Sequence, residues 1–314
     1  MTAVSAGAAS PSSAPAGGSS VPTGAAAAVA PPGLRPPGTA RSARSRRTSA
    51  PLRLLRSVGP PLVVLVLFIG LWYAVSYGLL SERRRFLLPP PHRVLAVGVL
   101  DWTNLQPILL GLKQTTIVAL SGFGIAIVVG TVLAVAMSQA RWLERSLYPW
   151  AVMLQTLPVL AMTPLVALWF GFGLSSRILI CSILALFPII TSTLFGLKSV
   201  EPNQRDLFTL SRAGRGTRLW RLEFPAALPS ILTGLRVSGG LAVIGAIVAD
   251  FFFRQGKPGI GRLLDVYRSS LETERLYAAL VFSTLLGLAL FAINTAITAR
   301  VLRNWHASAR PDRP

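Results

Sequence analysis

Long, almost uninterrupted apolar runs alternate along this chain with short segments rich in arginine, proline and glycine. A helix needs about 20 residues to cross a hydrocarbon core of about 30 Å. Six runs have that length: Pro61 to Leu80, Thr115 to Met137, Leu147 to Phe170, Arg177 to Leu197, Ile231 to Phe253 and Leu276 to Val301. The pattern predicts an all-α polytopic membrane protein with six transmembrane helices. The polar positions between the runs give its orientation. With six crossings, 20 of the 31 lysines and arginines fall on the side of the two termini. Basic residues collect on the cytoplasmic side, so both termini are expected there, in a multi-pass protein of the cell (plasma or inner) membrane.

One long segment between the fourth and fifth runs does not belong in lipid. Asp206 to Pro229 carries Asp206, Arg212, Arg215, Arg218, Arg221 and Glu223, and each charge at mid-bilayer would cost about 2.5–3.5 kcal/mol. It must lie in water, on the cytoplasmic side by the same charge rule.

Within the runs, polar and small residues are the informative ones. Prolines 149, 158, 164 and 188 lie in or beside the third and fourth spans, where each removes a backbone hydrogen bond and favours a kink. Gly234, Ser238, Ala242 and Ala246 recur every fourth position in the fifth span, one face along which another helix can approach closely. Asp250 continues that row as a lone carboxylate near the outer end. Gln155 and Thr156 in the third span, Thr191 to Thr193 in the fourth, and Asp250 are the translocation-path candidates. For the uncharged ones a helix-to-helix hydrogen bond competes with that role, and for Asp250 a position among the headgroups. The stretch Gln255 to Glu274 reads as an outer loop with a turn at Gly256 to Gly261. Phe86 to Val94, with three prolines, reads as a stiff extended exit from the first span, and His92 as an exposed turn residue.

Composition agrees with lipid as the solvent: 52% of the residues are hydrophobic and 13% charged. The formal charge of +20 is spread over the connecting segments rather than gathered on one face, so it points to topology and anionic membrane lipid, not to nucleic acid. One cysteine, Cys181, lies inside an apolar run, and there are two histidines. No disulfide framework, metal site or other cofactor is expected. Residues 1–55, mostly Ala, Ser, Pro and Gly before a cluster of arginines, read as a disordered cytoplasmic tail; residues 56–305 form the membrane domain and 306–314 a short cytoplasmic tail. Arg46 and Arg47 mimic an export signal, but the apolar run that follows is span-length and lacks a cleavage site.

Asp206 to Pro229 resembles the cytoplasmic loop of ABC-importer permeases, whose pattern is Glu-Ala-Ala, three residues, Gly, nine residues, Ile-x-Leu-Pro. Asp206 falls on the Glu, Leu207 and Phe208 on the two Ala, Arg212 on the Gly, and Leu222, Phe224 and Pro225 on the closing motif, which continues through Pro229. Gly214 or Gly216 is expected to supply the positive φ that Arg212 replaces. The strings Gln-Thr-x-Pro from Gln155, Ala-x-x-Pro-Leu from Ala161 and Trp-Phe-Gly-Phe-Gly from Trp169 are similar to those of the nitrate, sulfonate and taurine branch, and the resemblance spans roughly residues 86–305. It implies a type I importer permease fold. The loop would be a coupling element docked on a separate ATP-binding subunit, two permease copies would form the pore, and an external solute-binding protein would deliver substrate. The Asp-Leu-Phe variant and the outer FFFRQGKPGIG stretch resemble permeases for pyrimidine or riboflavin-type vitamin precursors. The chain itself carries no nucleotide-binding pattern, since Gly256-Lys257 is followed by Pro258, and so is expected not to be an enzyme. An ion-coupled secondary transporter would need paired intramembrane carboxylates, and only Asp250 is available.

Overall fold

In the computed structural model, residues 50–303 are described, and they are almost entirely helical. The chain divides into two units, residues 1–57 and 58–314. Of the first, only residues 50–57 are described, and these belong to helix α1, Ala50–Ala74, which therefore starts inside the stretch expected to be disordered. The rest of that tail and the expected tail 306–314 lie outside the described residues.

The apolar side chains of α1 from Leu62 to Leu71 are exposed, as expected of a helix whose solvent is lipid. A short 3₁₀ turn, Glu82–Leu87, follows and holds the three consecutive arginines; the Arg85 guanidinium sits 4.5 Å over the Tyr77 ring. The stretch Phe86 to Val94 is therefore not one extended exit: Phe86 and Leu87 end the 3₁₀ turn, Pro90 is extended, and Pro91 opens α2, Pro91–Leu95, at the first helical position, where a missing N–H costs nothing. His92 is exposed on that helix, with its Nδ1 3.1 Å from the Tyr73 hydroxyl.

Helix α3 covers Trp102–Gln139, 38 residues, far beyond its expected apolar run. Asp101 caps it by accepting the Thr103 N–H at 3.0 Å. The expected third span is not one helix. It is α4, Arg141–Thr156, and α5, Val159–Phe170, bent by 110° at Leu157–Pro158. Pro158 forces its predecessor out of the helical region, and Leu157 has ψ 129°. Prolines 149, 164 and 188, by contrast, lie inside helices that run on through them. Among the described residues, five helices are long and apolar enough to cross a membrane, six if the bent pair is one span.

Helices α6, Leu174–Lys198, and α9, Phe224–Phe252, form the centre with α3 and α11, Thr273–Leu302. The small residues expected to permit close approach do so. The Gly234 backbone packs on Ser192 and Pro188 of α6, Gly245 on Cys181, and Gly122 of α3 on Cys181 from the other side. Cys181, Ala185, Ile189, Ala242 and Ala246 are buried in this core with Val118 and Ala126. The outer stretch read as a loop contains a helix, α10, Ile260–Ser269, which buries Ile260, Leu264 and Tyr267 at helical spacing against α3, α9 and α11.

Candidate functional site

The charged segment between α6 and α9 folds as a short helix, α7, Pro202–Leu210, and a helical turn, α8, Arg215–Arg218, that continues through the π-helical residues Leu219–Glu223 into α9. α7 begins with proline at its first position. α7 ends in a Schellman arrangement: Ala213 N–H donates to Phe208 C=O at 3.0 Å and Arg212 N–H to Thr209 C=O at 3.0 Å. That cap needs a left-handed residue, and Arg212 provides it with φ 51°. Gly214 has φ −65°, and Gly216 is not in the positive-φ region, so neither supplies the turn as expected. Asp206 is exposed. So are Leu207 and Leu210, one turn apart on α7, and Trp220; their exposures are 65%, 82% and 68%. Leu207 and Leu210 thus stand on a segment outside the apolar spans with nothing among the described residues covering them, and Trp220 stands on the helical turn that leads into α9. Phe208, Leu222, Phe224, Pro225 and Pro229 are half-buried, and the Phe224 and Trp220 rings lie 5.3 Å apart.

The segment is tied to the helices by charge. Glu223 is buried, pairs with Arg218 at 3.0 Å and accepts a 3.4 Å hydrogen bond from Gln139 at the end of α3. Lys198, at the end of α6, pairs with Glu144 of α4. These pairs link the loop's base to α3 and α6 to α4.

At the opposite end of α6 and α9, Asp250 is not a lone carboxylate. It is fully buried and pairs at 3.2 Å with Arg177, itself 1% exposed, from the first turn of α6. Thr115 Oγ1 donates to the other carboxylate oxygen at 2.6 Å and accepts the Ile260 N–H at 2.8 Å. Arg177 donates further to the carbonyls of Phe253, Gln255 and Lys257 at 2.6, 2.7 and 3.0 Å. The turn at Gly256, φ 84°, is thereby fastened to α6. Gly259 lies so close that any side chain there would fall on the carboxylate.

The five path candidates are not brought together. Gln155 and Thr156 are exposed at the end of α4 beside the break, where Thr156 Oγ1 donates to Met153 C=O at 3.0 Å. Thr191 donates to Phe187 C=O of its own helix and lines an open cavity of about 450 Å³ with Ser192, Pro229, Ser230 and Thr233. Thr193 is fully buried, and its hydroxyl has no partner among the described residues. Asp250 lies in the ion-paired cluster. Among the described residues no cluster of three or more His, Cys, Asp or Glu side chains could hold a metal.

Residues 126–303 match the model of the binding-protein-dependent transport system inner membrane component. The chain belongs to this family. It is the permease subunit of an ABC importer, a multi-pass membrane protein of a family that works with an ATP-binding subunit and a substrate-binding protein. It is 32% identical over 248 residues to the riboflavin transport system permease protein RibX of Chloroflexus aurantiacus, covering 78% of this chain and 90% of that one. It is 31% identical over 240 residues to the formylaminopyrimidine transport permease protein ThiX of Halalkalibacterium halodurans, covering 76% and 93%. With the taurine transport system permease protein TauC of Escherichia coli it shares 28% identity over 274 residues, 85% and 96% of the two chains.

In this permease the residues that sequence reasoning missed are Arg177, Glu223 and Arg218. Arg177 stood in the sequence only as the first residue of the fourth apolar run. The available signal was its position: an arginine at the edge of one apolar run, at the same end of the bundle as the acid closing the next. Glu223 had a weaker signal, since an acid ringed by arginines reads as solvated until the end of α3 is seen beside it.

Proposed function

We propose that Asp206 to Pro229 is the surface through which a separate ATP-binding subunit drives this permease. The observation that carries the reading is the pair Leu207 and Leu210, uncovered on α7 and flanked by Asp206, Arg212 and Trp220. Exposed apolar groups at the centre of a charged rim suit a protein partner. ATP hydrolysis then resides in that partner, and this chain consumes no fuel. Two copies of the permease form the pathway, with both termini cytoplasmic and an external solute-binding protein on the opposite face. The partner acts by docking differently on the loop in two states, which is the free energy that shifts the helices between inward-open and outward-open. The ties from Glu223 to Gln139 and from Lys198 to Glu144 would carry that movement to α3 and α4. Gln155 and Thr156, exposed at the bend of α4 and α5, and Thr191, on an open cavity, suit the pathway; Thr193 and Asp250, both fully buried, suit packing between helices.

The substrate is a small solute of the nitrate, sulfonate or taurine type. A second reading, a pyrimidine or riboflavin-type vitamin precursor, is favoured by the RibX and ThiX relatives at 32% and 31% identity over most of both chains. Reconstituted vesicles test the coupling role. Deleting Arg212 to Arg218 should leave an inserted permease whose substrate no longer stimulates ATPase activity, and normal stimulation in the deletion would refute it. Ligand binding by the partner solute-binding protein separates the two substrate readings.

A further inference from the structure

At the loop's end of the bundle, an open cavity of about 700 Å³ lies between the ends of α3 and α6, the start of α4 and the base of the loop. Its wall is strongly basic. Its two acids are already occupied, Glu144 by Lys198 and Glu223 by Arg218. Three guanidinium groups remain, Arg141 and Arg145 from α4 and Arg205 from α7, and none has a carboxylate within ion-pair reach among the described residues. Arg205 donates to the Leu197 and Lys198 carbonyls that end α6, at 3.4 and 3.2 Å, yet its Nε is buried with no partner. A buried, unpartnered charged donor is costly unless something accepts from it.

The depth of this cavity is marked by α4. Trp142, Tyr148 and Trp150 are all exposed on that helix, and exposed tryptophan and tyrosine beside an apolar span mark the headgroup level. Leu197, at the end of the apolar stretch of α6, lines the same cavity. The opening therefore faces the layer where phosphodiester groups lie rather than open water.

We propose that Arg141, Arg145 and Arg205 bind the phosphodiester headgroup of an anionic phospholipid from the leaflet on the loop's side. Guanidinium groups match phosphate oxygens through paired N–H donors, and three of them unpaired by acid favour an anion over a zwitterion. Arg205 immediately precedes Asp206, so a bound lipid would brace the root of α7. The lipid site stands whether or not the loop docks an ATPase, because its readout is lipid retention and not transport.

The full chain is reconstituted in mixed phosphatidylcholine and phosphatidylglycerol, extracted in mild detergent, and the lipid it retains is measured by native mass spectrometry. The wild type should keep phosphatidylglycerol in preference. Removing one arginine near the surface should reduce that preference about fivefold, so the Arg141→Gln/Arg145→Gln pair should nearly abolish it. Both side chains are exposed, so this pair tests binding without disturbing the core; Arg205→Gln is measured separately, because it also releases the end of α6. The control Arg300→Gln/Arg303→Gln removes two exposed charges from the end of α11 and should retain the wild-type preference. Equal loss in the control, or no preference in the wild type, overturns the site. Inorganic phosphate that binds in pure phosphatidylcholine and displaces phosphatidylglycerol identifies a soluble anion and overturns the lipid assignment.

Discussion

Arg177 and Asp250 meet fully buried between α6 and α9, and neither charge would be tolerated there alone. Removing one partner of a buried pair costs about 3–5 kcal/mol, because the other charge is left uncompensated, whereas replacing both with apolar groups of similar size costs much less. Asp250→Asn or Arg177→Met should therefore destabilise the permease by about 3 kcal/mol. The double substitution Arg177→Met/Asp250→Leu should cost less than either single one. Thermal unfolding in detergent measures all three, and additive losses would show that the two residues act independently. Arg177 also holds three carbonyls of the turn around Gly256, so that turn should become protease-sensitive in Arg177→Met. Asp250 was visible in the sequence as an unusual residue, but its partner lies 73 positions away. Only the antiparallel packing of α6 on α9 makes the two a pair, which turns a lone carboxylate into half of a clamp.

At the scale of single elements, the ends of the short helices explain more than their middles. Arg212 and Leu271 both adopt left-handed backbone, with φ 51° and 58°, at positions that close helices α7 and α10. Leu271 closes α10 as Arg212 closes α7, with Glu272 N–H donating to Tyr267 C=O at 2.9 Å. A side chain in that conformation costs about 1–2 kcal/mol relative to glycine. The Arg212→Gly substitution should therefore stabilise α7 by about 1 kcal/mol, seen as slower backbone hydrogen exchange from Arg205 to Ser211. Unchanged or faster exchange would mean that the arginine makes a compensating contact. The match of Arg212 to the glycine of the permease loop was legible in the sequence. That the arginine itself would adopt the glycine's conformation was not, because Gly214 and Gly216 stood close by as cheaper alternatives. α10 was missed for a different reason: its apolar positions Ile260, Leu264 and Tyr267 have helical spacing, but the glycines around them read as a loop. Pro158 was one of four similar prolines, and only the packing of α4 and α5 on either side of it shows which one breaks the chain.

For the whole molecule, the proposed orientation places the Arg-rich loop and the α10 turn on opposite sides of the membrane. Cys181 is the one cysteine and is buried, so a Cys181→Ala background gives a clean test. Ser211 and Ser270 are both exposed. A membrane-impermeant maleimide applied to intact cells should label Ser270→Cys directly, and Ser211→Cys only after permeabilisation. The reverse pattern would invert the topology and sink the coupling role. The sequence by itself determined the solvent of this protein, its helical class, its water-exposed loop and its family, because the length of an apolar run and the cost of a charge in lipid are local properties that need no partner. Tertiary structure alone decided that Asp250 is neutralised by Arg177, that the third apolar run is two helices at 110°, and that three arginines from α4 and α7 converge on one cavity. Those outcomes depend on which helices are neighbours: the small-residue row from Gly234 marks the face of α9 that can be approached, but which helix approaches it is decided by the close contacts of Gly122, Gly234 and Gly245.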